Sequence, residues 1–119
     1  MTEFDLDWQS PPDPIAKILD APPPPALMLS PDRQWVIELE QPSLPSIAEL
    51  AEPEVAIAGF RINPNTNTPA RHGTFRSMKL GRFEQFQPQP VDLPDDARIS
   101  YFRWSPDDRH LAFMLTQPN

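Results

Sequence analysis

The stretch Leu29-Ser30-Pro31-Asp32-Arg33 recurs as Trp104-Ser105-Pro106-Asp107-Asp108, with the two serines 75 positions apart in a chain of 119 residues. Each copy lies between two apolar runs. Proline presets φ at the first central position of a turn, and an aspartate after it can hydrogen-bond to its own backbone. Each copy therefore predicts a β-hairpin with one buried face.

The repetition of this hairpin indicates neighbouring sheets of the propeller type, because one hairpin alone is only marginally stable. A propeller blade takes roughly 40–50 residues, so the spacing corresponds to one blade plus an insertion. We assign the insertion to a short helix and an Asn-rich loop. The predicted fold is all-β: a partial β-propeller, comprising the first blade and the start of the second, with one or two short helices.

The chain divides into two predicted segments. Residues 1–12 are acidic and end in two prolines, which predicts a flexible lead-in with Phe4, Leu6 and Trp8 as anchors. Residues 13–119 form the predicted partial propeller.

Short elements are expected throughout, since the chain has 18 prolines and only 3 glycines. Asp13-Pro14 predicts a helix start with Asp13 as the capping residue. Ser46 and Glu49 have the spacing of a capping box, which predicts a second helix. The predicted strands are residues 26–29, 34–40, 55–62, 74–80, 83–86, 98–104 and 111–116.

Two tryptophans beside the turns are predicted to be core residues. Trp35 begins a face with Ile37 and Leu39 that alternates with a second face beginning at Val36. Trp104 ends a strand of alternating large residues. We therefore expect both indole rings to be buried.

Composition excludes several classes of function. The net charge of −7 argues against nucleic acid and against an anionic membrane surface as partners. The absence of cysteine excludes disulfides and thiolate metal sites and fits a reducing compartment. No secretory signal begins the chain, so we expect a cytoplasmic location. The pairs Asp95-Asp96 and Asp107-Asp108 lack the alternating ligands of calcium loops, and no metal or cofactor is expected.

No catalytic residue is predicted in this chain. A hydrolase nucleophile elbow needs the pattern Gly-x-Ser-x-Gly, and Gly59, Gly73 and Gly81 flank no serine in that way. His72 and His110 are interpreted as surface residues.

Three arginines flank the Asn-rich loop: Arg61, Arg71 and Arg76. They could present guanidinium groups to a carboxylate of a ligand. The alternative is that they pair with acidic residues nearby or lie in water. The proline run at 22–25 has two interpretations as well: a rigid spacer, or a ligand for an aromatic groove.

An ordered series of short motifs extends over residues 11–119, nearly the whole chain. Its members are residues 12–23, Leu44-Pro45, Ile47-Ala48-Glu49-Leu50-Ala51, Pro53-Glu54, Ala58-Gly59-Phe60-Arg61-Ile62, the Asn67 region, both Ser-Pro-Asp turns and residues 111–113. This order resembles the opening of the glutamyl endopeptidase-like serine peptidases of bacteria and plastids, within the prolyl oligopeptidase family. The Ser-Pro-Asp hairpin alone is shared by many propellers.

The resemblance implies an N-terminal propeller over a C-terminal α/β-hydrolase domain that carries a Ser-Asp-His triad. That second domain is absent from these residues, so no catalytic residue is carried over and the chain alone is not expected to be an enzyme. The expected partners are the remaining propeller and the hydrolase domain, with peptide substrates only in the full-length context. The family often has glycine after Ser-Pro-Asp, whereas Arg33 and Asp108 stand there in this chain. A left-handed backbone is costly for Arg33, which predicts a different type of turn in the first hairpin.

The resulting functional hypothesis is a non-catalytic propeller fragment of such a peptidase, in which the propeller gates the access of peptides. The alternative is a free-standing β-rich interaction module that binds a partner through a sheet edge or the proline run. A complete module should protect its edges, and the chain ends directly after a predicted strand, so we favour the fragment.

Overall fold

The computed structural model describes residues 10–117. Most of the predicted lead-in, with Phe4, Leu6 and Trp8, lies outside these residues. The described part is built from two short helices and nine strands. They are α1 (Asp13–Leu19), β1 (Ala26–Leu29), β2 (Trp35–Glu40), α2 (Ile47–Leu50), β3 (Val55–Ile57), β4 (Phe60–Asn63), β5 (Thr68–Pro69), β6 (Ser77–Arg82), β7 (Gln89–Pro90), β8 (Arg98–Trp104) and β9 (Leu111–Thr116). The predicted dominance of β-structure is confirmed.

The strands form three open antiparallel sheets. One has four strands in the order β1-β2-β6-β7, one has three in the order β3-β4-β5, and one consists of β8 and β9. The chain leaves the four-stranded sheet after β2 and returns to it at β6. We call residues 41–76, which contain α2 and the three-stranded sheet, the insertion.

The hydrophobic core lies between the four-stranded sheet and the β8–β9 pair. Ile37 and Leu39 of β2, Met78 of β6, and Ile99 and Phe102 of β8 form one buried cluster. Full burial of a side chain of this size contributes about 1.5–3 kcal/mol. The two sheets are therefore joined by one core.

The opposite face of β2 is also buried at one position. Val36 is paired with Gly81 of β6 and is almost inaccessible. A Cβ atom built on Gly81 would lie 3.0 Å from the Cα of Pro88, so the chain before β7 crosses closely over this face. The absence of a side chain at Gly81 permits this approach, which simple alternation along β2 does not anticipate.

The two tryptophans beside the turns have different environments. Trp104 packs against the core cluster, as predicted, although its ring is only partly buried. Trp35 lies outside the cluster and is half-buried, so its prediction as a core residue is wrong. Its cross-strand partner Arg82 places a guanidinium carbon 4.1 Å from the ring centroid, and the cation covers the indole instead of the core.

The predicted single strand at residues 55–62 is in fact the β3–β4 hairpin. Ala58 and Gly59 have φ angles of +48° and +87° and form its two-residue turn. Positive φ at both central positions gives the twist that suits a tight hairpin. The predicted strand at 83–86 is also wrong, because β6 continues through Gly81 to Arg82 and a turn follows.

Of the two helix starts, one is as predicted. Ser46 accepts a hydrogen bond from the backbone of Glu49 and the Glu49 carboxylate accepts one from the backbone of Ser46, so the capping box is confirmed. In α1, Asp13 is the first helical residue and Pro12 holds the cap position, which corrects the prediction by one residue. Neither helix has a buried residue, and within residues 10–117 no helix is long and apolar enough to cross a membrane.

Candidate functional site

The first Ser-Pro-Asp turn is closed by a local hydrogen-bond network. The Ser30 hydroxyl donates to Asp32 Oδ1 at 2.5 Å and accepts from the backbone N–H of Trp35 at 3.0 Å. Asp32 Oδ1 also accepts from the N–H of Gln34 at 3.0 Å. The Ser30 carbonyl accepts from the N–H of Arg33 at 2.9 Å, and the Ser30 N–H donates to the Trp35 carbonyl at 3.0 Å. One buried serine thus satisfies both ends of the turn.

The second turn repeats all five of these hydrogen bonds. Ser105 Oγ donates to Asp107 Oδ1 at 2.5 Å and accepts from the His110 N–H at 2.9 Å. Asp107 accepts from the N–H of Arg109 at 3.3 Å. The Ser105 backbone accepts from Asp108 at 3.0 Å and donates to His110 at 2.9 Å. The two turns are therefore the same structural unit.

The residue after each Ser-Pro-Asp has left-handed backbone geometry. Arg33 has a φ of +58° and Asp108 a φ of +55°, so the prediction of a different first turn is wrong. This geometry costs roughly 1–2 kcal/mol for a residue with a Cβ. The serine–aspartate hydrogen bonds stabilise both turns in this left-handed geometry. Pro31 and Pro106 occupy the first central position, as expected.

We expect Ser30→Ala to lower the free energy of unfolding by about 1–3 kcal/mol, because it removes the side-chain acceptor of the Trp35 N–H and one of the two donors to the Asp32 carboxylate in a part-buried turn. Ser105→Ala, in the more exposed second turn, is the matched control and should cost less. Urea unfolding followed by tryptophan fluorescence measures both. A larger loss for Ser105→Ala than for Ser30→Ala would contradict this ranking.

The same hydrogen bonds make the stability of the fold depend on pH. The Ser30 hydroxyl, and then the N–H of Gln34, lower the pKa of Asp32 below its ordinary value of 3.8. Ser105 and then the N–H of Arg109 act likewise on the pKa of Asp107. A carboxyl group with a lowered folded-state pKa stabilises the fold above its unfolded pKa, and this contribution is lost as the pH falls through the folded value.

The free energy of unfolding should therefore decrease as the pH is lowered below about 4. The double variant Asp32→Asn, Asp107→Asn should lose less of its free energy of unfolding over the same pH interval. Urea midpoints at a series of pH values between neutrality and acid measure the two slopes. Identical slopes for the variant and the parent chain would show that these carboxylates do not carry the acid sensitivity.

Two of the predicted loop arginines bind one carboxylate. Arg61 Nη1 lies 2.9 Å from Glu54 Oε2, and Arg71 Nε donates to Glu54 Oε1. The hydrogen bond from Arg61 has the largest effect on the pKa of Glu54 and, with Arg71, holds it below its ordinary value. Arg61 and Arg71 therefore pair with a nearby acidic residue, as the second interpretation of these arginines predicted, although the side chains of both remain exposed.

The third predicted arginine joins a chain of ion pairs that reaches from the insertion to β8. Arg76 Nη2 donates to Glu49 Oε1 at 3.0 Å. Arg98 Nη2 donates to Glu52 Oε1 at 2.9 Å, and its Nη1 lies 3.8 Å from Glu49. Asn63 Nδ2 donates to Glu52 Oε2 at 2.6 Å. Arg98 was not predicted for this site, because it is remote in sequence from the loop it serves.

These groups tie α2 to the strands of the main sheets. Burial raises the pKa of Glu49, but hydrogen bonds from Ser46 and the charges of Arg76 and Arg98 outweigh it, so the net shift of the pKa is downward. Glu49 is therefore held as a carboxylate between the two arginines. We call Arg61, Arg71, Arg76 and Arg98, with Glu49, Glu52 and Glu54, the arginine cluster.

A cleft of about 430 Å³ lies beside the arginine cluster, between α2, the β4–β5 loop and residues 69–75. His72 lines it and is half-buried, which corrects its prediction as a surface residue. Its Nδ1 lies 2.8 Å from the carbonyl oxygen of Pro69, and its ring stacks on Tyr101 at a centroid distance of 5.5 Å. His110 is highly exposed, as predicted. No group of three or more His, Cys, Asp or Glu side chains suited to a metal occurs in the described residues.

The sequence is similar to two plant proteins over nearly its whole length. One is the "Probable glutamyl endopeptidase, chloroplastic" of Arabidopsis thaliana, 35% identical over an alignment of 113 residues that covers 91% of this chain. The other, of the same name, is from Oryza sativa subsp. japonica and is 34% identical over an alignment of 115 residues that covers 92% of this chain. The chain spans only 12% of the length of either protein. No protein-family model and no solved structure matches it.

Proposed function

We propose that this chain is a non-catalytic N-terminal propeller segment of a serine peptidase of the prolyl oligopeptidase type. The four-stranded sheet is the first blade and residues 41–76 are inserted in it. Strands β8 and β9 are the first two strands of the second blade. In the complete protein the propeller would limit which peptides reach a hydrolase domain.

The observation that carries the proposal is the position of the two equivalent turns. Each joins the first two strands of its sheet, β1 to β2 and β8 to β9, through the same five hydrogen bonds. Propeller blades are four-stranded antiparallel sheets that repeat around an axis. A complete first sheet followed by two strands of a second one fits that repeat, and the core between the sheets fits the contact of adjacent blades.

The large exposed apolar surface also supports a segment that packs against more protein. The Cα radius of gyration is 19.1 Å, whereas a compact domain of about 100 residues has a radius near 13 Å. Exposed large apolar side chains occur on both helices, on several strands and in the connections between them, including Ile18, Leu19, Leu27, Leu44, Ile47, Phe60 and Phe83. Such a surface is typical of a site that contacts other protein.

The isolated chain should not hydrolyse peptides, because the hydrolase domain that the resemblance implies lies outside it. Incubation with a fluorogenic peptide cleaved after glutamate and with a serine-directed phosphonate probe tests this. Turnover accompanied by covalent labelling of one defined serine would contradict the prediction.

A chimera tests the proposal itself. The segment of the Arabidopsis protein that aligns with this chain is replaced by the corresponding residues of this chain. We expect a soluble protein that cleaves peptides as the parent does, whereas deletion of the same residues should remove soluble enzyme. A chimera that aggregates or is inactive, beside an active parent, would overturn the proposal.

Two further assignments stay predictions. A free-standing interaction module is the alternative function. Within residues 10–117 the outer edge of β9 has no partner strand, which disfavours this alternative because complete modules protect their edges. The cytoplasmic location is an expectation from the sequence alone, and the names of the two plant proteins place those proteins in the chloroplast.

A further inference from the structure

The β3–β4 hairpin of the insertion has an apolar face that the described residues leave uncovered. Val55 is paired with Ile62 and Ile57 with Phe60, so these four side chains lie on one face of the hairpin. Val55, Ile57 and Phe60 are 44%, 54% and 74% exposed, and Ile62 is half-buried. Burial of apolar side chains of this size is favourable, so this face is suited to contact with another apolar surface.

The other face of the same hairpin is polar and carries positive charge. Ala56 is paired with Arg61 on this face, and the alternation of the strand places Glu54 on it as well. Arg61 and Arg71 share the carboxylate of Glu54, and their side chains are 67% and 58% exposed. Two guanidinium groups therefore meet one carboxylate beside β3, and this face favours further carboxylates.

The outer edge of β3 is free for a further strand. In the three-stranded sheet β3 is terminal, and among residues 10–117 it pairs only with β4. An added strand would place alternate side chains on the apolar face and the others on the side of Arg61. The other free edges match such a strand less well. Leu27 and Leu29 make both faces of β1 apolar, and β9 has no charged residue.

The start of the sequence has the pattern that fits this edge. Residues 3–8, which lie outside the described residues, read Glu3-Phe4-Asp5-Leu6-Asp7-Trp8. Acidic and large apolar side chains alternate strictly along this segment. In an extended strand, this alternation directs three apolar side chains to one side and three carboxylates to the other. The two sides match the two faces of the hairpin.

The length of chain between this segment and the core permits the contact. The chain enters the core at Ala26 of β1, and α1 in front of it has no buried residue that would fix its position. The helix and the residues on either side of it, 9–12 and 20–25, together span up to about 40 Å. The structure measures 69 × 43 × 26 Å, so a tether of this length is comparable to its middle dimension.

We propose that residues 3–8 of the same chain bind to the free edge of β3 as a fourth strand of the insertion sheet. The three apolar side chains then cover the apolar face of the hairpin, and the three carboxylates lie on the side of Arg61 and Arg71. The start of the chain is thereby joined to the insertion. This inference uses no residue of a hydrolase domain and does not depend on the proposed function.

Amide hydrogen exchange of the 119-residue chain, measured by mass spectrometry, tests the proposal. Exchange of β3 should be about tenfold faster in the triple variant Phe4→Ser, Leu6→Ser, Trp8→Ser than in the parent chain, because each strand protects the other. Phe60→Ser should likewise accelerate the exchange of residues 3–8. Leu44→Ser removes a 78% exposed side chain outside the hairpin and should change neither rate. Equal exchange of β3 in the parent chain and the triple variant would overturn the proposal.

Charge reversal separates docking from a local effect on the hairpin. Arg61→Glu should accelerate the exchange of β3, and replacing the three acidic residues of the segment with lysine in the same chain should restore the slow rate. Arg109→Glu, the same charge change at the second turn, should leave exchange of β3 unchanged. Failure of the lysines to restore the rate would contradict docking at this face.

Two further measurements identify the edge and the source of the strand. Met114→Lys alters the edge of β9 and should leave the exchange of residues 3–8 unchanged. Faster exchange in that variant would assign the segment to β9 and overturn the proposal. Exchange of β3 should also be independent of protein concentration. Protection that increases with concentration would mean that a second copy supplies the strand, and would equally overturn docking within one chain.

Discussion

Replacing Leu39 with alanine should lower the free energy of unfolding by about 2–5 kcal/mol. Leu39 is fully buried on β2 and packs in the cluster that joins the four-stranded sheet to β8. The substitution removes apolar contacts and leaves a cavity that rigid neighbouring strands cannot fill. Since small domains are stable by only about 5–15 kcal/mol, the loss should be a large fraction of the total. Urea unfolding followed by fluorescence measures it.

Leu27→Ala is the matched control for this substitution. Leu27 lies on the adjacent strand β1 but is 61% exposed, so the same change should alter stability by less than about 0.5 kcal/mol. Both variants keep the charge and length of the chain. Equal losses for the two leucines would mean that the core does not lie between the two sheets.

Features encoded within a few consecutive residues could be predicted from the sequence. The Ser-Pro-Asp turns and the Ser46–Glu49 capping box are closed by side chains two to five residues apart, so their chemistry is visible in the sequence itself. The Ala58-Gly59 turn is also encoded by neighbouring residues, but the sequence does not predict it, because the apolar run around it continues on both sides.

Features that depend on the pairing of β2 with β6 could not be predicted. The partner of β2 lies beyond the insertion, and no local signal gives the register between them. That register places Arg82 over Trp35 and Gly81 opposite Val36. For this reason the sequence identified the correct alternating strand but assigned its first residue wrongly to the core.

The same limit applies to the candidate site. Arg61, Arg71 and Arg76 were found because they flank one loop. Their fourth companion, Arg98, is 46 positions from Glu52, to which it donates. Only the folded chain brings the start of β8 to α2, and hence only the structure shows that Arg98 pairs with Glu49 and Glu52.

Strand β9 is the longest uncharged edge strand among the described residues, and the last prediction concerns its open edge. Strand β9 (Leu111–Thr116) pairs only with β8 among the described residues and has no charged residue. The other edge of β8 is partly covered, because Phe75 and Ile99 exchange two backbone hydrogen bonds of 2.9 Å. The edge strand β1 is flanked by Pro25 and Pro31, which blunt it.

We therefore expect the purified 119-residue chain to self-associate at micromolar concentration through β9, with sedimentation velocity as the measurement. The unpaired backbone groups of this edge form a template for a second copy, and the net charge of −7 opposes association without satisfying them. Met114→Lys places a charge on an exposed position of β9, and a symmetric pair would bring two such charges together, so the dissociation constant should rise about tenfold.

Leu44→Lys adds the same charge at a highly exposed loop position and should leave the association unchanged. If Met114→Lys and Leu44→Lys weaken association equally, net charge rather than the β9 edge controls it. If the parent chain is a cooperatively folded monomer, its residues protect their own edges. That result would favour the free-standing interaction module over the propeller segment, because a segment that lacks its neighbouring strands retains an edge that must be paired.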